Sequence, residues 1–243
     1  MNVKRRDFVK RGGAAAFLAT SLSRTLVAAE LISSHSSMRI DDWLHQLFTA
    51  GEALKKAGMD PLGWKRRMDE IYAAAPLAEL LNHIDYDALK ARMDYSTKGE
   101  CFIRLPMGFE GEDLSHERRQ VVTKIAGVKA GHAVPPHGHE NMVSAFLILD
   151  GEFHVRQFDR LKESPAHLYI RETANERQTR GRWSSISDTV NNCHWLKATG
   201  GESFLFSTKI VEIDPRRPVR GRIPFDYYRG QNVGSGVMQV PKL

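Results

Sequence analysis

Beyond Gly99 the apolar residues leave helical spacing and gather in short runs separated by Gly, Pro, Asn and Asp. That punctuation excludes long helices and specifies short strands. The runs cover residues 101–105, 120–129, 142–150, 152–159, 167–171, 193–198 and 203–213. Each is too short to bury much alone, so they must close on one another as a sandwich or barrel, which also protects their edges. The stretch Glu172–Arg182 between two runs is polar and charged and reads as a solvated loop.

Residues 40–95 follow the other period. Trp43, Leu44, Leu47, Phe48 and Leu54 recur at three- and four-residue steps, with Gly58 as the stop. Asp60-Pro61 supplies an N-cap and first-turn proline for a second helix reaching Tyr72. Pro76 opens a third helix, and Asp85 caps a short fourth carrying Leu89 and Met93. The expected fold class is mainly β, a barrel preceded by a small helical segment. Met142, Phe146, Leu147 and Leu149 are expected in the barrel core.

The chain of 243 residues has a formal net charge of +6, but the surplus sits at one end. Lys4, Arg5, Arg6, Lys10, Arg11 and Arg24 face the single acid Asp7 within residues 1–29. The rest holds 29 Lys+Arg against 28 Asp+Glu, too even a balance for a nucleic-acid surface. No run approaches the roughly 20 apolar residues of a spanning helix. Residues 1–29 run basic, then apolar (Gly12 to Ala19), then small (Val27-Ala28-Ala29), and Arg5-Arg6 precede Phe8 and Lys10. This resembles a twin-arginine (Tat) export signal cut before Glu30. The resemblance implies a Tat-type signal peptide over 1–29, and the two periodicities divide the rest into a helical N-terminal segment over 30–97 and a β-barrel domain over 98–243. The resemblance also implies the Tat machinery as partner, a periplasmic or secreted location, and no stable membrane insertion after cleavage. Cys101 and Cys193 are the two cysteines; one disulfide is open to them, though nothing in their spacing argues for it.

The chemistry concentrates in Gly131-His132-Ala133-Val134-Pro135-Pro136-His137-Gly138-His139-Glu140-Asn141-Met142. His137 and His139, separated by one residue on an extended segment, project to the same face, so both rings reach one metal ion. The prolines stiffen the approach, and Gly138 is expected to keep the space between the rings open. Glu140 points opposite His139 and is expected beside the site or at the surface. Asn141 and Asn192 read as turn formers. His132 and His167 are weaker ligand candidates.

Gly131, His137-x-His139 and Gly151 match the first metal motif of the cupin superfamily, and the chain resembles those double-stranded β-helix barrels. The family's usual glutamate, seven residues before the closing glycine, is here Ser144. The second motif implies one more histidine, for which His194 is the match; Asn191 takes the family's glycine place, because Asn tolerates a left-handed turn. The missing glutamate makes the chain similar to the three-histidine thiol dioxygenases, within the cysteamine dioxygenase and plant cysteine oxidase group. The residues that carry this are Met142, His154, Asp159, Trp195 after His194, and the pair Tyr227-Tyr228. Phe225 stands where some members have a cysteine, so a Cys–Tyr cross-link is not expected there.

The resemblance implies one divalent metal on His137, His139 and His194, Fe(II) first, with Zn, Ni or Mn as alternatives. It implies an oxidoreductase, a dioxygenase using O2 on a small thiol or another anionic metal-ligating substrate. Charge supports the same reading: three neutral imidazoles leave the full +2 on the ion and favour an anionic incoming ligand. Arg156 shares parity with His154; facing the barrel it would hold a substrate carboxylate, facing out it is a surface charge. Tyr227 and Tyr228 close the mouth or pack the tail. Two other classes stay open: a non-catalytic metal-dependent binding cupin, and a cupin isomerase or epimerase with a histidine base.

Overall fold

A computed structural model describes residues 38–56, 59–105, 121–218 and 220–243. The signal-like residues 1–29 and the leader to residue 37 lie outside the described residues. Four helices come first: α1 (Ile40–Lys55), α2 (Pro61–Ala73), α3 (Leu77–His83) and α4 (Tyr86–Ala91). Asp60 caps α2, its carboxylate accepting from the Gly63 N–H at 2.7 Å, with Pro61 in the first turn. Asp85 precedes α4 without a side-chain cap, its backbone held left-handed at φ 49°. Met93 falls beyond the end of α4.

The strands are β1 (Glu100–Arg104), β2 (Val121–Val128), β3 (Ala133–Gly138), β4 (Met142–Asp150), β5 (Glu152–Glu163), β6 (His167–Thr179), β7 (Trp183–Ile186), β8 (Cys193–Ala198) and β9 (Ser203–Val211). Three short ones close the chain: β10 (Ile223–Pro224), β11 (Gln231–Asn232) and β12 (Val237–Pro241). They form two antiparallel sheets, ordered β1-β2-β9-β4-β7 and β10-β3-β8-β5-β6-β12-β11. Strands consecutive in sequence mostly alternate between the sheets, the jelly-roll order that closes a barrel from two Greek keys. The fold is thus mainly β, as expected. Gly151 makes the β4–β5 turn at φ 77°, where a Cβ would meet Ser203 Oγ at 2.4 Å.

Residues 172–179, expected as loop, are instead the outer half of β6, paired with β5 from Glu172 to Thr179. Their side chains are mostly exposed, so the backbone ladder and cross-strand charges hold them, with no apolar face to reveal the strand.

Two apolar layers flank the first sheet. On its outer side Val143, Ala145, Leu147, Phe204, Phe206 and Ile210 pack with Trp43, Leu47, Trp64, Met68, Ile71 and Tyr72 of α1 and α2. Trp43 Nε1 donates to the Ile71 carbonyl (2.8 Å) and the Tyr72 hydroxyl to Thr208 Oγ1 (2.9 Å), which satisfies these two polar tips, whereas the Trp64 Nε1 in the same layer is buried with no hydrogen-bond partner among the described residues. Trp43 is fully buried; truncating it to Ala would cost about 3–5 kcal/mol. On the inner side Ala126, Val128, Val134, Phe146, Ile148, Phe153, Val155, Leu196, Ala198 and Leu205 fill one part of the barrel. Covered on both faces, β4 is buried along nearly its whole length, which is why it reads as an unbroken apolar run.

Candidate metal centre

His137 and His194 meet because β3 and β8 are neighbours and these two residues are direct cross-strand partners. The register shifts between Val134 and His137, at Pro135-Pro136, where the prolines have no N–H to give to a ladder. His139 follows just past the end of β3, and its N–H donates to the Asn192 carbonyl at 3.0 Å, tying it to the turn before His194. Ring centroids lie 4.5 Å apart for His137–His194, 4.6 Å for His137–His139 and 5.1 Å for His139–His194. One ring nitrogen from each falls within 4.8 Å of the other two, and all three residues are buried. Gly138 has a different role from that expected: it faces Cys193, and a Cβ would come within 3.0 Å of the Cys193 sulfur.

Burial holds all three imidazoles neutral. It pulls His194 from 6.5 to about 3 and His137 and His139 well below the ordinary value. Lys209 and Arg222 push all three the same way, and the histidine neighbours of His137 and His139 add to it. His137 Nδ1 donates to the Pro135 carbonyl at 2.7 Å, fixing the tautomer and leaving Nε2 as the lone pair. The Nδ1 atoms of His139 and His194 are buried with no hydrogen-bond partner; the Asn191 backbone near His194 makes no well-formed bond to it. Buried, unsatisfied, neutral nitrogens in a cluster cost free energy unless a cation takes their lone pairs, so this donor set fits a divalent metal. No carboxylate belongs to the group among the described residues. Ser144 is committed elsewhere, its hydroxyl donating to the Thr208 carbonyl at 3.0 Å.

The loops beside the triad are clamped by Asn141, which no motif singles out beyond its turn-forming character. Its backbone is left-handed, φ 56°, and it is fully buried. Its N–H donates to Asp188 Oδ1 (2.6 Å). Its side-chain amide donates to the carbonyls of Asp214 (2.8 Å) and Arg217 (2.7 Å) and accepts from the Asp214 N–H (2.8 Å). Glu140 faces away from the triad to Arg220 and Arg217. Asn191 takes φ 57°, and its N–H donates to Asp159 Oδ1 at 2.8 Å. Asn192 donates to the Asp188 carbonyl (2.8 Å) and accepts from the Arg160 N–H (3.0 Å).

The other candidate residues gather on the opposite side of the second sheet. Gln157 pairs with His194 and Arg156 with Trp195, so alternation sends Gln157 and His194 inward and Arg156, His154 and Trp195 outward. Arg156 is paired to Glu172, and its guanidinium lies 4.3 Å from the centre of the Tyr227 ring. Tyr227 and Tyr228 stack around Trp195 at 5.4 and 5.5 Å, and Tyr228 is 76% exposed. His154 Nε2 donates to Asn175 Oδ1 at 2.6 Å. Of the two placements open to Arg156 the structure shows the outward one: the parity with His154 holds, and the shared face is the outer one. His132 is exposed, and His167 lies on β6 opposite Pro241. Cys101 and Cys193 are both free thiols; burial pushes Cys193 up to about 12, leaving it unreactive.

No family model and no curated protein matches the chain. Among solved structures it is similar to recombinant oxalate oxidase in complex with glycolate, at 17% identity and TM-score 0.34, over 53% of this chain and 56% of that one. It is also similar to KdgF from Halomonas sp. (12%, TM-score 0.36, 53% of this chain and 94% of that one). A third is procruciferin, the 11S globulin from Brassica napus (14%, TM-score 0.36, 50% of this chain). The aligned part spans 28% of the procruciferin chain and about half of oxalate oxidase.

Proposed function

We propose that the barrel holds one divalent metal, Fe(II) first, on His137, His139 and His194, and uses O2 to oxidise a small anionic substrate that ligates the metal, such as a thiol. The observation that supports this best is the donor set: three buried neutral imidazoles without a carboxylate. Such a set leaves the ion its full charge and so favours an anionic ligand. Bound Fe(II) would supply one-electron chemistry with O2, the substrate being the source of electrons. Zn, Ni and Mn suit the same nitrogens.

The chain's own contribution is positional and electrostatic. The Pro135 carbonyl sets the His137 tautomer, and Asn141 holds together the loops beside His139 and His194. The apolar filling around Phe146, Ile148, Phe153 and Val155 keeps water out of the barrel beside the site. A metal-free role with a histidine as general base is served poorly, because burial makes each of the three a weak proton acceptor.

The test is metal content of the anaerobically purified chain, followed on the same sample by O2 uptake with a panel of small thiols. The expected result is about one equivalent of iron and thiol-dependent uptake. Metal without uptake would leave a binding role, and absence of metal would overturn the reading. We also propose export by the twin-arginine route from Arg5-Arg6, which a Lys-Lys replacement should block.

A further inference from the structure

Three basic side chains converge on the histidine end of the barrel. Leu205 belongs to the inner apolar filling, and alternation along β9 puts Ser207 and Lys209 on the same inner face. Lys209 stands opposite Ser144 on β4, and Ser207 opposite Lys124 on β2. Lys124 shares its face with Ala126 and Val128, also inner residues. Arg222 arrives from the other sheet, next to Ile223, which pairs with Gly138 between His137 and His139. The guanidinium of Arg222 and the ammonium of Lys124 lie over the Phe102 ring, at 5.0 and 4.4 Å from its centre.

Among the described residues Glu100 is the carboxylate that answers these three cations. Arg222 reaches Glu100 Oε1 at 3.4 Å; the second oxygen of Glu100 is buried without a hydrogen bond. Among the described residues no carboxylate lies within ion-pair distance of Lys124 or Lys209. Both lysines are half-buried. Desolvation, then repulsion from Lys124 and Arg222, draws Lys209 down to about 8. Half-buried like charges facing a centre suited to a divalent cation make a local surplus of positive charge that water alone screens poorly. A fold that keeps such a surplus inside a barrel is built to receive an anion.

We propose that Lys209, Lys124 and Arg222 form an anion-binding subsite beside the histidine triad that holds a carboxylate of a small organic acid. Combined with the function proposed above, on which this clause rests, the substrate carries two acidic groups: one ligates the metal and the other meets the lysines and Arg222. The subsite itself does not depend on the metal, so the two readings can fail separately.

The test uses the full chain stripped of metal with a chelator, and follows thermal melting and calorimetric binding with succinate as the probe and inorganic sulfate as the comparison anion. Succinate should raise the melting temperature of the native chain. Lys209→Met should bind succinate roughly tenfold or more weakly, the loss expected for one charge-assisted contact. It should also melt higher than the native chain without ligand, because an uncompensated half-buried charge is gone while the volume is kept. A purely structural lysine would give the opposite shift. Lys124→Met is the second variant, expected to weaken binding in the same direction, and Lys209→Arg should restore it. Equal succinate affinity in the native chain and both Met variants, no binding in the native chain, or sulfate binding as tightly as succinate would each overturn the carboxylate subsite. Metal content measured on Lys209→Met before chelation should match the native chain; a chain that never holds metal but still binds succinate would sink the proposed function and leave the subsite standing.

Discussion

Ser144 and Lys209 are direct cross-strand partners on β4 and β9, both on the inner face of the barrel. The position at which a cupin resemblance leads one to expect a metal-binding glutamate is thus occupied by a small hydroxyl facing a cation. The substitution removes a negative charge where the neighbour is positive, so the site as a whole is tilted toward anions from outside.

That pairing makes Ser144→Glu informative. A carboxylate introduced there finds Lys209 opposite, which offsets its burial, and stands on the inner face of the first sheet, across the barrel from the sheet that carries His137 and His194. Metal should be held more tightly against a chelator, and succinate affinity should fall roughly tenfold, since Lys209 would be neutralised internally. Metal competition and calorimetry measure the two effects; unchanged values for both would remove the electrostatic account of the missing glutamate.

Removing a ligand separates the site from the fold. His137→Ala and His194→Ala each delete a buried ring that makes little contribution to the apolar filling, so circular dichroism and the folded yield should be close to native. Metal retention should fall by at least two orders of magnitude, as two nitrogens remain of three. Native metal content in either variant would discard the centre.

Arg156→Met tests the outward placement. The guanidinium is engaged by Glu172 and the aromatic rings outside the second sheet, so its loss should leave metal content and succinate binding unchanged and cost about 1 kcal/mol or less of stability. A marked loss of succinate affinity would mean that the outer cluster, not the lysine pair, receives the anion.

What the sequence reveals, and what it hides, follows from which forces leave a pattern. Alternation alone brings His137 and His139 to one face, because the two-residue period of a strand is dictated by backbone geometry. His194 is recognisable only by resemblance, because its approach to His137 depends on the pairing of β3 with β8, a contact across 57 residues that no local signal encodes. Residues 133–138 do not look like a strand because Pro135 and Pro136 spoil the propensity; the register irregularity is what lets them sit there. Arg156 shows the remaining ambiguity: parity groups residues by face, but which face is inner is decided by the whole barrel. Lys124 and Lys209 are isolated basic residues in apolar strands, and their signal is the same parity, shared with Ala126 and Leu205.

Asn141 should be the most sensitive residue outside the ligands. Asn141→Ala deletes three side-chain hydrogen bonds to the 214–217 loop and keeps a left-handed backbone that Ala disfavours. The cost should be about 3–5 kcal/mol, read from urea unfolding, and metal affinity should drop with it because His139 is two residues away. Asn141→Asp retains the acceptor for the Asp214 N–H and should recover part of the loss; no difference between the two variants would mean the amide does not clamp the loop.

The pH dependence of the metal-free chain gives a direct reading of the triad. In the unfolded chain the histidines protonate near 6.5, whereas in the fold burial holds His194 at about 3 and the other two well below their ordinary value. Between those limits the unfolded state binds more protons, so stability is fully present above about 6.5 and is lost as the pH falls through the folded values. Each histidine contributes a slope of about 1.4 kcal/mol per pH unit. Glu163, held at about 2 by Arg220 and Lys242, acts only below its unfolded value of 4.5, and Lys209 only above about 8, so neither enters the interval from about pH 7 to 5. Melting of the chelated chain should therefore fall steadily across that interval, and His194→Ala, with one proton fewer to take up, should show a shallower slope. Metal should flatten the native profile until protons displace it, since both compete for the same lone pairs. A chelated chain whose melting temperature does not move between pH 7 and 5 would mean that the three imidazoles are open to protons in the fold, and the buried neutral donor set would have to be given up.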